Sequence, residues 1–113
     1  MTFKIIQHGP VTVIELDGNL MGGPDASSLN SKLHELVEGG RKQIVIDLAR
    51  VQFMNSSGLG LLIGGVSALK NAGGALKIAN ASEKIATLIT ITKLGSVFQQ
   101  YPSVNAAVES FGK

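Results

Sequence analysis

The sequence predicts an α/β fold, a mixed sheet of four to five strands with about four helices packed against it. Two patterns in the 113-residue chain indicate this class. Short apolar runs rich in β-branched residues alternate with longer segments whose apolar residues recur every three or four positions. At the start of the chain, two such runs follow one another with only a turn between them. A hairpin followed by alternating strands and helices forms a mixed sheet with helices packed against it.

The first two strands are predicted at residues 3–7 and 11–16, because Gly9-Pro10 between them forms a hairpin connection. The first helix is predicted to begin near Pro24, since proline is preset for the first helical turn and lacks the N–H that would be unpaired there. Its apolar residues share spacings of three and four, and they are Ala26, Leu29, Leu33, Leu36 and Val37. Gly39-Gly40 is expected to end this helix.

The third strand is predicted at residues 43–48, where a nearly continuous apolar run indicates burial on both faces. We expect it to continue through residues 51–54 after a kink. A turn at 55–58 leads into a second helix from about Ser57 to residue 71, and Gly73-Gly74 separates that helix from a strand at 75–79.

Two serines are predicted to cap the last two helices, because a serine hydroxyl can accept a hydrogen bond from an unpaired N–H at a helix start. Ser82 precedes a helix whose inward residues are Ile85, Leu88, Ile89 and Thr92. Ser103 precedes a helix whose inward residues are Val104, Ala107, Val108 and Phe111. Between these helices, Val97-Phe98 is predicted as a short last strand.

Composition argues against several classes of function. The chain has no cysteine, which excludes a disulfide scaffold, a thiol nucleophile and thiolate zinc sites. Only two histidines, His8 and His34, are present, so a metal site of several histidines is not expected. No other metal site and no cofactor are predicted. The net charge is +2, and only Arg41 and Lys42 are adjacent basic residues, so no direct binding to nucleic acid is predicted.

No apolar stretch approaches the ~18 residues of a membrane helix, and the first residues lack the pattern of a secretory signal. We therefore expect one cytoplasmic domain over residues 1–113, without insertion into a membrane.

The segment most capable of chemistry is Met54-Asn55-Ser56-Ser57-Gly58-Leu59-Gly60, between an apolar strand and an apolar helix. Ligands and partners of open α/β sheets meet the loops at the carboxyl ends of strands. Ser56 or Ser57 is predicted to cap the helix and to display a hydroxyl at its positive end. Gly58 and Gly60 remove side chains, so that a partner's active site can approach closely. The alternative is that the serines are only caps and the glycines only packing positions.

Several segments together resemble the STAS domain, and more narrowly the anti-sigma factor antagonists, also called anti-anti-sigma factors. The resemblance covers essentially the whole chain and implies a STAS fold and a bacterial source. It is carried by residues 46–48, 51–60, 73–76, 92–94 and 97–98.

In that family, a partner anti-sigma factor serine kinase phosphorylates the serine that directly follows the acidic residue of the motif. The matching position is Ser56. The unphosphorylated antagonist binds the anti-sigma factor and frees the sigma factor, phosphorylation stops the binding, and a phosphatase restores it. The resemblance thus implies a partner surface composed of Asn55, Ser56, Ser57, Gly58, Leu59, Gly60, Asn19, Met21, Gly22 and Asp25.

The chain departs from the family pattern at two places. The family usually has Asp before the phosphorylated serine, where this chain has Asn55. The family also tends to carry Gly-Glu/Asp-Leu-Asp after the second strand, where this chain has Gly18-Asn19-Leu20-Met21. These departures favour a second hypothesis, a STAS scaffold module without a phosphorylation switch, in a signalling assembly or beside a transporter.

An enzymatic role is not predicted, because the chain has no Gly-x-Ser-x-Gly motif and nothing in the sequence places His8 or His34 against Ser56. The spacing of Gly58, Gly60 and the later glycines matches neither a dinucleotide fingerprint nor a P-loop. STAS domains have been linked to nucleotides, so weak nucleotide binding stays an open alternative. Asp47 is predicted to have a structural role.

Overall fold

The computed structural model describes residues 1–21 and 23–112, and it describes only the backbone of Asp25. The strands are β1 (Thr2–His8), β2 (Val11–Asp17), β3 (Gln43–Arg50), β4 (Ala75–Ala79) and β5 (Gln100–Tyr101). The helices are α1 (Pro24–Glu38), α2 (Ser56–Asn71), α3 (Glu83–Ile91) and α4 (Val104–Ser110).

The five strands form one mixed sheet in the order β1-β2-β3-β4-β5. β1 and β2 are an antiparallel hairpin, and every later neighbour is parallel. The predicted α/β class, with a mixed sheet and four helices, is confirmed. Since strands of one sheet that run parallel end at the same edge, the loops after β2 and β3 emerge side by side.

Helices α1, α2 and α3 cover one face of the sheet. Right-handed crossovers that advance the strand order in one direction place their helices on the same side. Alternate strand residues such as Ile14, Ile46 and Ile78 point to this face and form the main core with leucines and isoleucines of the three helices. The core is mainly aliphatic and supplies most of the driving force for folding.

Helix α4 covers the opposite face, where the core is smaller. Ala107 of α4 packs against Val13 and Val45 there. Lys77 of β4 also lies on this side with 7% of its surface exposed. Its Nζ donates to Ser110 Oγ at 2.6 Å and lies 4.1 Å from the centre of the Phe111 ring. The buried ammonium is therefore held by a hydroxyl and an aromatic face at the end of α4.

Asp47 has the predicted structural role at the end of β3. Its Oδ1 accepts a hydrogen bond from Ala49 N at 3.0 Å and another from Asn80 Nδ2 at 3.0 Å. Asn80 follows β4 and has a positive φ of 59°. The carboxylate thus ties together the chain segments that leave β3 and β4.

One strand prediction is wrong, and another holds at a single residue. The last strand lies at Gln100–Tyr101 and not at Val97-Phe98, because Val97 N donates to Leu94 O in a turn and Phe98 is buried in the main core. Residues 51–53 are not strand, since Val51 N donates back to Leu48 O in a turn, but after this kink Met54 pairs in parallel with Leu20 in an isolated bridge. Apolar residues are needed in both places to fill the core, which gives turns the composition of strands.

Candidate functional site

The loops after β2 and β3 are joined by backbone hydrogen bonds. Leu20 N donates to Phe53 O at 3.0 Å, and Asn55 N donates to Leu20 O at 3.3 Å. These contacts form an isolated parallel bridge between Leu20 and Met54. The predicted docking segments 19–21 and 55–60 are therefore parts of one surface at the carboxyl end of the parallel strands.

Asn55 occupies the junction of these loops and makes a hydrogen bond with each side of its amide. Its Oδ1 accepts from Gly58 N at 2.9 Å and so caps α2. Its Nδ2 donates to Met21 O at 2.9 Å, across 34 positions of sequence. The prediction that Ser56 or Ser57 is the cap is wrong, because α2 begins at Ser56 and the cap is the residue before it.

Ser56 and Ser57 are the first two residues of α2, and both are exposed. Because Asn55 supplies the cap, neither hydroxyl is needed to start the helix. Within the part of the chain that the structure describes, neither hydroxyl has a hydrogen-bond partner. The serines therefore display free hydroxyl groups at the N-terminus of a 16-residue helix, where the partial charge is positive.

Gly58 and Gly60 have different surroundings. A Cβ built on Gly58 would overlap the carbonyl oxygen of Leu20, so this glycine lets α2 lie directly against the loop after β2. A Cβ on Gly60 would meet nothing within 4 Å. The space left by Gly58 is thus filled by the chain itself, whereas Gly60 lies open on the exposed surface of α2.

The other residues of the predicted partner surface divide by burial. Asn19 is exposed, and Met21 exposes 46% of its surface. Leu59 exposes only 2% and belongs to the main core, so its side chain does not contribute to the surface. Gly22 and the side chain of Asp25 lie outside the described residues.

An apolar groove that was not predicted from the sequence borders this site. Phe53 exposes 49% of its surface and Ile91 exposes 71%, and both line a groove of about 590 Å³ between the loop before α2 and α3. Leu88 lines the same groove. The available signal was a second apolar stripe on α3, since Leu88 and Ile91 are spaced by three while Ile85 and Ile89 face the core. Clustered exposed apolar side chains mark interaction surfaces.

Other kinds of site find no support in the described residues. Among them, no group of three or more histidine, cysteine, aspartate or glutamate side chains could hold a metal ion. No helix in the described ranges has both the length and the apolar character needed to cross a membrane. His8 and His34 are exposed at the end of β1 and on α1.

The sequence also matches the model of a known protein family. The model of the STAS domain matches residues 2–107. The chain belongs to the STAS domain family. This STAS domain is 36% identical over 86 residues to the anti-sigma-B factor antagonist of Bacillus subtilis strain 168. The match covers 74% of this chain and 78% of that protein.

Solved structures have the same fold as this STAS domain. The anti-sigma factor antagonist from Mycobacterium paratuberculosis superposes with a TM-score of 0.86 at 24% identity, covering 99% of this chain and 94% of the other. The Bacillus cell fate determinant SpoIIAA in its phosphorylated form gives a TM-score of 0.76 at 22% identity, covering 97% of this chain and 99% of the other. The Bacillus subtilis relative is named as an antagonist of an anti-sigma factor, which agrees with the predicted non-enzymatic role.

Proposed function

We propose that this STAS domain is an anti-sigma factor antagonist that is switched off by phosphorylation of Ser56. In this proposal, the unphosphorylated protein binds an anti-sigma factor serine kinase in the cytoplasm and thereby releases a sigma factor. A phosphatase returns the phosphorylated protein to its binding form. The observation that carries the proposal is the free, exposed hydroxyl of Ser56 on the first residue of α2, within the joined surface of two loops.

The position of Ser56 suits phosphoryl transfer. Its Oγ would attack the γ-phosphorus of ATP held by the kinase and form a new O–P bond, while the P–O bond to ADP breaks. The hydroxyl proton would pass to a base of the kinase. Because the hydroxyl is exposed and is not required as a cap, the transfer disrupts no hydrogen bond within the described part of this chain.

The charge of the product accounts for a switch without refolding. A phosphoserine adds about −1.5 to −2 charges at neutral pH. The first turn of α2 contains no acidic residue and its cap is the neutral Asn55, so the positive helix end accommodates the phosphate. The same charge in a partner interface would be desolvated. A loss of only ~3 kcal/mol there weakens binding more than a hundredfold.

The apolar groove supplies a contact area continuous with Ser56. Phe53 lies on the same loop as Asn55, and its carbonyl oxygen accepts from Leu20 N, so the loop that lines the groove leads directly to Ser56. We assign this groove to the same partner, the anti-sigma factor, together with Asn19, Met21, Ser57 and Gly60. Gly58 and Leu59 support that surface from beneath.

The deciding experiment compares wild type with Ser56→Ala and Ser56→Asp for binding to, and phosphorylation by, ATP-loaded anti-sigma kinases of the source organism. Ser57→Ala is the matched control, since Ser57 is the exposed neighbour one residue along α2. We expect wild type and Ser56→Ala to bind and Ser56→Asp to lose at least about a hundredfold in affinity, while Ser57→Ala, which changes the same surface, is the control for the site of phosphorylation only. Phosphate should appear on wild type and Ser57→Ala but not on the Ser56 variants.

Other outcomes point to other functions. Binding without any phosphate on Ser56 would favour the scaffold hypothesis, which Asn55 and Met21 support because they stand where the family tends to have acidic residues. Failure to bind any such kinase would reject the antagonist role. Stabilisation of the protein by ATP or GTP alone would support a weak nucleotide site.

A further inference from the structure

Resting on the proposed function, we infer that Asn55 is a positioning residue that holds the loop after β2 in its docking conformation through its amide N–H. Cap function alone does not require this residue, because a carboxylate or a hydroxyl at the same position also accepts from Gly58 N. The second hydrogen bond, from Asn55 Nδ2 to Met21 O, requires a donor. The inference is that partner docking depends on this donor.

Among the described residues, few other contacts hold the loop after β2 at this point. Gly18 and Gly23 on either side of residues 19–21 have positive φ values of 105° and 71°. Leu20 is anchored by its buried side chain and by the backbone bridge to the loop before α2. Beyond Leu20, the Asn55 amide holds the backbone of Met21, whose side chain is half exposed. The amide therefore fixes where this loop presents Met21 relative to Ser56.

Aspartate is the informative replacement, because it has the shape of asparagine without the N–H. Its carboxylate would keep the hydrogen bond from Gly58 N and would interact favourably with the positive end of α2. Its second oxygen would face Met21 O, which is 2.9 Å from the present nitrogen, and two acceptors at that distance repel. Asn55→Asp thus breaks the loop contact while retaining the helix cap.

The test uses Asn55→Asp together with Asn55→Ser, a neutral cap whose shorter side chain stops short of Met21 O. In the isolated proteins, hydrogen exchange is measured at Leu20 N and Asn55 N, which report the loop junction, and at Gly58 N, which reports the cap. We expect exchange at the junction to accelerate about tenfold in both variants, in line with the loss of one hydrogen bond, while Gly58 N stays protected.

The second measurement is phosphorylation by the kinase that accepts wild type. We expect KM for both variants to rise about tenfold with kcat retained, because docking and not the chemistry of the Ser56 hydroxyl is impaired. If Asn55 only stabilised the fold, its replacement would lower the melting temperature without raising KM at constant kcat.

Three results would overturn the inference. If Asn55→Asp and wild type have the same KM, the amide donor is dispensable. Impairment in Asn55→Asp but not in Asn55→Ser would assign the effect to charge and not to the lost donor. Unchanged exchange at Leu20 N and Asn55 N in both variants would show that Asn55 does not hold the loop. If wild type itself is neither bound nor phosphorylated, the proposed function fails separately, and the exchange measurement alone decides whether Asn55 positions the loop.

Discussion

At the scale of single residues, the site depends on which polar groups form hydrogen bonds within the fold and which remain free. Asn55 uses both ends of its amide within the fold, whereas the hydroxyl of Ser56 next to it lies free at the surface. Gly58 also has a structural role, since the carbonyl of Leu20 occupies the space where a side chain would be. A motif of consecutive small residues thus contains two structural positions, Asn55 and Gly58, and between them two serines whose hydroxyl groups are free.

The variant Gly58→Ala tests the structural role of Gly58. We expect it to lower the free energy of unfolding by about 2–3 kcal/mol, because the new methyl group overlaps the backbone of Leu20, which cannot rotate away. Gly60→Ala is the matched control on the same helix. It should raise the free energy of unfolding by about 0.5–1 kcal/mol, because alanine favours helix and meets open space. Urea unfolding of the two variants measures both changes, and equal effects would contradict the assignment.

At the scale of elements, α3 has one face in the core and another at the groove. Ile85 and Ile89 are buried, whereas Ile91 projects from the last residue of the helix with most of its surface in solvent. Burial of this side chain therefore contributes little to the stability of the isolated protein. Its apolar surface is available to a partner that also covers Phe53.

Ile91→Ala should therefore separate binding from stability. We expect affinity for the anti-sigma kinase to fall about fivefold to tenfold, because apolar area that the partner would cover is removed, while the melting temperature stays unchanged. The control is Ile5→Ala, which removes an exposed isoleucine on edge strand β1. Isothermal titration with both variants makes the comparison, and equal weakening in the two would argue against a partner surface at α3.

At the scale of the whole molecule, the sheet provides a rigid frame for the site. The parallel alignment of β2 and β3 brings their carboxyl ends to one edge, and the bridge between Leu20 and Met54 extends that alignment beyond the strands. With α1, α2 and α3 packed on one face and α4 on the other, both faces of the sheet are covered. We therefore expect a charge added at this edge to leave the packing of the sheet and its helices unchanged.

Phosphorylation of Ser56 is accordingly expected to leave the fold intact and to stabilise it slightly. The added charge at the positive end of α2 should raise the melting temperature by about 2–4 °C at low salt, and less at 1 M salt, where the interaction is screened. Amide chemical-shift changes should be confined to the N-terminus of α2 and residues 19–21. Shifts spread over the sheet and α4, or a lower melting temperature, would instead indicate a conformational mechanism.

The sequence by itself determined the order of strands and helices, the mixed sheet, the helix start at Pro24 and the segment that carries Ser56. These features follow from local patterns, because hydrophobic periodicity and the conformational preferences of glycine and proline act over a few neighbouring residues. The same local patterns misplaced the last strand, since a turn that fills the core with Phe98 has the composition of a strand.

Only the tertiary structure decided how the site is built. The cap at Asn55, its contact with Met21 34 positions away, the close approach of Gly58 to Leu20, the burial of Leu59 and the groove beside Phe53 all depend on distant segments meeting. The hydrophobic periodicity of one segment does not predict contacts with a distant segment. They arise because parallel strands carry their following loops to the same edge of the sheet, where backbone groups without a partner on their own strand find one on the next.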